Sequence, residues 1–329
     1  MNRCHQKYLS SFVLLSFTAF GAVLLWGPSP GLATPLLGSD LASFAVLGSS
    51  TVTNVPTSTV VGSVGVWSAG GANAITGFNS SPGVAVSDPQ VTGGTVQAGT
   101  AVAQSAQGQL TTAITNLGLL GTGTTLINPD LSGLTLTPGV YTVPAGVSNL
   151  TTSLGALTLN GLGNANASWV FQMNSTLITS PGSVVNVINT GSGAGLFWDV
   201  RSSATIDTST SFQGNILALS SITLNTGATI GCGRALANTG AVTMDMNTLG
   251  IGCGAGTGGV GSNGFSGGLT VPAGGGAPES LPFVAVGGGT GGGTGGGSAA
   301  APEPSSLLLV STGLLGLVLM KRRRNPCAG

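Results

Sequence analysis

Between Thr34 and Ala301 the chain carries no histidine and no lysine. Its charged side chains there are Arg201, Arg234, Asp40, Asp88, Asp130, Asp199, Asp207, Asp245 and Glu279. A Ser-His-Asp set cannot be assembled from them. A pair of carboxylates is the nearest approach to a catalytic dyad. Asp207 and Asp245 would lie two strand spacings apart, roughly 10 Å, which falls near the range of inverting glycosidases. Nothing in their surroundings marks either as buried or perturbed. Chemistry of the polysaccharide-lyase kind calls for bases, and two arginines supply little. The residues therefore predict a protein that is not an enzyme, with no catalytic residue and no cofactor. Two cations against seven acids give a net charge of −5, so there is no basic footprint for nucleic acid.

The elements that carry so few charges must be built from something else. Only 5% of the 329 residues are charged, 41% are hydrophobic and 58 are glycine. The aliphatic residues are interleaved with Thr, Ser, Asn and Gly, a blend that favours short strands and tight turns. Apolar content of this size can form a core, unlike the composition of a charged disordered chain.

The two ends read as addresses. Arg3 and Lys7 precede an apolar run from Leu9 to Trp26, then the breakers Gly27, Pro28 and Pro30 and the small-residue site Gly31-Leu32-Ala33. This is the layout of a secretory signal peptide, residues 1–33, cleaved after Ala33; the alternative is an uncleaved anchor. At the other end stand Pro302, Glu303 and Pro304, an apolar stretch over 307–320, and the cluster Lys321, Arg322, Arg323, Arg324. That stretch is short for a permanent transmembrane span, which needs about 20 residues. The basic cluster would hold that end on the cytoplasmic side. Residues 302–329 thus resemble the PEP-CTERM sorting signal of Gram-negative bacteria. That resemblance implies transient membrane insertion by the tail, recognition by an exosortase, and delivery to the cell surface or extracellular matrix. Residues 254–301 are glycine-rich and predict a flexible tether.

Removal of both ends leaves Cys232 and Cys253 as the remaining cysteines. In an oxidising envelope such a pair predicts one disulfide. No histidine stands near them to complete a metal site.

The segments beginning at Val170, Phe197, Asn215 and Gly233 each carry an aliphatic strand, a polar corner, a short strand and a second polar corner. The steps from Ile206 to Leu224 and from Leu224 to Met244 are each roughly 20 residues, at the short end of known structural repeats. A coil of this length predicts a mostly β fold, a β-solenoid in which each coil buries its apolar face only against the next. A β-sandwich would also give short strands, without the repeated coil. Ile222, Leu224 and Ile230 should face inward, and Thr223 and Asn225 outward. One segment differs: Val102, Ala103, Ala106, Leu110, Ala113, Ile114 and Leu117 recur at helical spacing. They predict one helix over about 100–117 with Gly118 at its C-cap.

From Ser43 through Leu134–Gly146 to Gly214–Leu249 the sequence resembles the ice-binding-protein-like family of microbes. The resemblance covers nearly all of 34–253 and implies a discontinuous right-handed β-solenoid, triangular in cross-section, with one long helix packed alongside. It also implies a flat solenoid face that binds ice. Aligned coils offer two columns for that face: Ser180, Thr208, Thr226, Met246, and Ser183, Ser211, Thr229, Thr248. The expected ice-binding residues are Thr208, Ser211, Thr226, Thr229 and Thr248. Residues of this kind also suit any exposed strand. A third column, Asp207, Asn225 and Asp245, is read as a ladder of corner side chains bonded to local backbone. Three ligands fall short of a Ca²⁺ site, so no metal is expected. A rival reading is an adhesive or structural matrix protein that binds polysaccharide or another extracellular polymer. It would be favoured by a groove with exposed Trp67, Trp169 or Trp198.

Overall fold

The computed structural model describes residues 33–287 apart from 72, 147 and 255–257. The segments 1–32 and 302–329, with the expected signal peptide, sorting tail and apolar span 307–320, lie outside the described residues. Among the described residues no helix is long and apolar enough to cross a membrane.

Three sets of strands stack in parallel ladders, one strand per coil in each set. The first sheet runs, in spatial order, through Thr124–Thr125, Gly139–Val143, Ser168–Met173, Gly195–Val200, Ser211–Ala218, Thr229–Ala237, Phe44–Gly48, Ser63–Val66 and Val96–Ala98. The second runs through Leu177–Ile178, Ala204–Ile206, Ile222–Leu224, Val242–Asp245, Thr51–Val55 and Ala74–Thr76. The third gathers Thr135–Leu136, Leu157–Asn164, Val185–Thr190, the first residues of Ser211–Ala218 and Thr229–Ala237, then Thr248–Gly250, Thr59–Val61 and Val91–Thr92. The alternation expected at Ile222, Thr223 and Leu224 is present: the two aliphatic residues are buried and the threonine between them is not.

The stack does not follow the order of the chain. Phe44–Gly48 pairs with Thr229–Ala237, and Thr51–Val55 with Val242–Asp245, so the earliest coils sit on the latest ones. The chain must then travel back along the stack before it can lay down Thr124 at the far end. A helix does this. Ala101–Leu117 is 17 residues long, about 25 Å at 1.5 Å per residue, or roughly five strand spacings. The Thr100 hydroxyl caps its start by accepting from the Ala103 amide. Gly118 is the C-cap as expected, in right-handed rather than left-handed conformation. A Cβ there would come within 2.7 Å of Arg201 Nη2, so a larger residue would push that guanidinium aside.

Two cores result. Inside the coils Tyr141, Phe171, Trp198 and Phe212 form a file of rings with centroids 5.6, 4.3 and 4.9 Å apart. Between the first sheet and the helix, Ala106, Leu110, Ala113 and Leu117 meet Phe44, Leu47, Phe197 and Leu236. Trp169 and Trp198 are fully buried and Trp67 is half-buried, so they do not form the exposed aromatic groove a sugar-binding surface would need. Their rings are large enough to fill the coil interior. The Trp169 and Trp198 indole N–H groups each find a carbonyl, those of Leu136 and Gln213 respectively.

The disulfide Cys232–Cys253 is formed, with Cα atoms 4.8 Å apart. Part of the stretch expected as tether is folded. Leu269–Val271 pairs antiparallel with Thr34–Pro35 and Glu279–Ser280. Phe265 is fully buried, and Ala165 donates its amide to the Val284 carbonyl. Glycine content alone concealed this, because here the glycines allow close backbone approach. Gly267 is one of them: a Cβ on it would stand 2.3 Å from the Gly193 carbonyl oxygen.

Candidate functional site

The second sheet carries a column of threonines that the aligned coils did not reveal. Thr205, Thr223, Thr243, Thr53 and Thr76 are register partners in turn, each paired directly with the next. Each of the first three sits between two inward-facing residues, as in Ala204-Thr205-Ile206, Ile222-Thr223-Leu224 and Val242-Thr243-Met244, so the pleat sends its side chain outward. Five rungs at strand spacing span roughly 19 Å. No register shift interrupts the column. None of the five hydroxyls makes a hydrogen bond to another described residue, and Thr243 and Thr76 are exposed. The column therefore presents methyl and hydroxyl groups at a fixed period with their hydrogen-bonding capacity directed to whatever lies outside.

The flanks of this column are satisfied internally. On one side the Ser221 hydroxyl accepts from the Ala241 amide at 3.2 Å, and Ser203 accepts from the Ser221 amide at 3.3 Å. On the other lie Asp207, Asn225 and Asp245, the last in register with Val55. Asn225 Nδ2 donates to Asp207 Oδ1 at 2.8 Å, and the Thr208 amide donates to the same oxygen at 2.7 Å. The Asn225 contact, then that amide, holds the Asp207 carboxyl below the usual carboxylate range. The ladder expected of these corner residues forms in part: Asp207 accepts from the local Thr208 amide, while Asn225 bonds a side chain and Asp245 accepts from the Thr226 hydroxyl instead. Among the described residues no cluster of three or more His, Cys, Asp or Glu side chains is placed to hold a metal.

The residues expected from the sequence fall in two places. Ser211, Thr229 and Thr248 are register partners on the third sheet, and the column continues to Thr59. Thr208 and Thr226 lie on the turns between the second and third sheets. Several of these hydroxyls are engaged: Thr226 donates to Asp245 Oδ2, Thr229 to the Thr210 carbonyl at 3.3 Å, and Thr208 to Asp207 Oδ1 at 3.4 Å. Three members of the aligned columns do not belong to them. The first is Ser180, which the pairings of Ile178 with Thr205 and Val184 with Ser211 set opposite Asp207 rather than Thr208. Ser183 is buried and donates to the Leu150 and Ser180 carbonyls; Val184, one residue on, is the partner of Ser211. Met246 takes the left-handed turn position held by Ser209 and Gly227, with φ of 50°, 55° and 70°. Its turn is one residue shorter, since Asp245 to Thr248 replaces the longer steps Asp207–Ser211 and Asn225–Thr229. A gapless alignment cannot show that.

The ion pair lies away from both columns. Asp199 is buried beside Arg201, 2.7 Å from Asp199 Oδ2 to Nη2, and Arg201 reaches the Ile114 carbonyl near the helix end. Burial pushes the Asp199 carboxyl up to about 6 against the opposing pull of Arg201.

Comparison with known proteins agrees with this architecture. The model of a family described as ice-binding-like matches residues 46–250, and a PEP-CTERM protein-sorting motif matches residues 300–324. An ice-binding protein of Nostoc sp. (strain HG1) is 40% identical over 253 residues, covering 77% of this chain and 86% of that protein. One from Flammulina populicola is 33% identical over 261 residues, covering 74% and 100%. Among solved structures, an ice-binding protein from an Antarctic biological consortium matches with TM-score 0.54 and 36% identity over 68% of this chain and 93% of that one. A domain of ice-binding protein 1 from Shewanella frigidimarina matches with TM-score 0.57 and 28% identity over 68% and 98%.

Proposed function

Since this chain belongs to the ice-binding-like family, we propose that it is a secreted ice-binding protein whose ice-facing surface is the threonine ladder of the second sheet. The observation that carries this is the unbroken register of Thr205, Thr223, Thr243, Thr53 and Thr76 with hydroxyls that have no partner among the described residues. A preordered array loses little conformational freedom on meeting a rigid lattice. Threonine places a methyl and a hydroxyl at each rung, so water can be ordered and bonded at one period. We read the three sheets as the sides of a right-handed coil, triangular in section. The protein acts without catalysis.

The sorting motif at 300–324 supports export and delivery to the cell surface. In this reading a signal peptide (1–33) and a tail (302–329) bracket the solenoid, an exosortase processes the tail in a Gram-negative envelope, and the surface or its matrix is the destination.

Thermal hysteresis and ice-crystal shaping by residues 34–287 test the proposal. Shaped crystals with a hysteresis gap are expected; round growth with no gap would sink it. A second reading assigns the surface to Ser211, Thr229 and Thr248, with Thr208 and Thr226 at its margin. Its support is the register that carries this column on to the exposed Thr59. Tyrosine at Thr223 or at Thr229 separates the two readings.

A further inference from the structure

The ladder is continuous in space but not in the chain. Thr205, Thr223 and Thr243 come from the late coils, Thr53 and Thr76 from the earliest. Ice is a periodic, rigid ligand, so a slip between Val242–Asp245 and Thr51–Val55 would take two rungs of five out of step. Apolar packing across this joint is non-directional. In the first sheet the joint has two register pairs, Val46 with Ala235 and Leu47 with Leu236.

Arg234 stands at this joint, in the strand that receives the early coils. It is fully buried. Nη2 donates to the Ala42 carbonyl at 2.6 Å, two residues before the first strand of the early coils. Nη1 donates to Asn215 Oδ1 at 2.8 Å, in the neighbouring late coil, and to the Asn263 and Gly264 carbonyls at 3.1 Å each. One planar fork thus ties the early coils, the late coils and the returning C-terminal segment to a single geometry. Gly264 permits the approach, since a Cβ there would lie 2.4 Å from Nη1. No carboxylate faces the guanidinium: among the described residues the ion pair is Arg201–Asp199. Its Nε has no hydrogen-bond partner among the described residues. Burial of a cation without a counter-ion is unfavourable, and an apolar residue in its place would leave Asn215 Oδ1 and the Ala42, Asn263 and Gly264 carbonyls without this donor. What an apolar residue lacks is direction.

Resting on the ice-facing reading of the second sheet, we propose that Arg234 is the positioning residue that fixes the register of the threonine ladder across the joint between late and early coils.

The test uses the exported, processed protein with Arg234→Met and Arg234→Lys. Circular dichroism reports the fold, partition into slowly grown ice reports binding, and residue-resolved hydrogen exchange reports the joint. The expected result for Arg234→Met is retained β structure and ice partition down about tenfold. Exchange should rise at 44–66, 74–76 and 242–250 while 195–224 stays protected. Arg234→Lys, with one donor centre in place of a fork, should recover only part. A folded Arg234→Met that partitions like the wild type overturns the proposal. So does exchange that rises evenly through all coils, the mark of a general stabilising role. If neither variant folds, exchange in the wild type decides. The early coils opening as a unit ahead of the rest supports the clamp, and a single concerted opening overturns it. Absence of ice partition by the wild type would fault the ice-facing reading instead, and the exchange pattern would still judge the clamp.

Discussion

The second and third sheets both bring hydroxyl side chains to the surface, and they use them differently. On the third sheet and its turns the Thr208, Thr226 and Thr229 hydroxyls close onto Asp207, Asp245 and the Thr210 carbonyl. On the second sheet the five threonines of the ladder make no such bond. The cause is position within the coil. The turn residues Thr208 and Thr226 lie beside the corner carboxylates of Asp207 and Asp245, which accept from their hydroxyls. Mid-strand residues lie beside backbone already paired in the parallel ladder, so their hydroxyls are left to the solvent side. Ser211, Thr248 and Thr59 on the third sheet are also exposed with no hydroxyl partner among the described residues. The two columns thus differ in continuity: five unengaged rungs on the second sheet, against a run interrupted at Thr229 on the third.

That contrast can be broken most severely at its centre. Thr223→Tyr and Thr243→Tyr should each abolish thermal hysteresis while shifting stability by only about 0.5 kcal/mol, as exposed strand changes do. Full hysteresis from both folded variants would remove the second sheet from the function. Next in size is a change that leaves both surfaces intact. Cys232→Ser with Cys253→Ser should lower unfolding free energy by about 3 kcal/mol, the chain-entropy value for a loop of this length. Ice binding near the freezing point should persist if the double variant is still folded there. Urea unfolding beside hysteresis measures both, and loss of ice binding in a folded double variant would show that the cross-link shapes the surface.

Thr229→Tyr and Thr248→Tyr sharpen the comparison further. Each should reduce hysteresis by less than half of what Thr223→Tyr removes; the reverse ranking would transfer the site to the third sheet. The smallest effect belongs to the helix-covered sheet. Burial raises the Asp199 carboxyl to about 6, so its protonated form is favoured in the fold. That contribution is complete below the ordinary carboxylate pKa near 4 and is lost as pH rises through about 6. Asp199→Asn should flatten the decline in stability between pH 4 and pH 7 by on the order of 1 kcal/mol and leave ice binding unchanged. Urea midpoints with the wild-type slope preserved in the variant would contradict the assignment.

Much of this was legible in residue order. The helix stood out because its apolar residues repeat at the helical period, and the structure places it at Ala101–Leu117. Cys232 and Cys253 could be paired because they alone stand outside the expected signal peptide and tail, one coil apart. The ladder was harder to see. Thr223 read as outward-facing, but Thr53 lies nearly the whole solenoid away in the chain from its partner Thr243, and Thr76 joins the column only through Thr53. The available signal was a threonine flanked by inward-facing residues, recurring in both the early and the late coils. The columns aligned instead favoured turn positions, where Ser and Thr are densest, and they missed the shortened turn at Met246.

By itself the sequence determined a charge-poor, strand-and-turn chain with a sorting motif, an amphipathic helix and a disulfide pair. These follow from composition and from periods no longer than one coil, which local chemistry governs. Tertiary structure alone decided that the first coils sit on the last, that Arg234 is buried where they meet, and that residues 258–287 fold back rather than hang free. It also decided which threonines keep their hydroxyls unengaged. Those outcomes depend on which strand edges meet in space, and pairing between distant edges leaves no period in the sequence from which to read it.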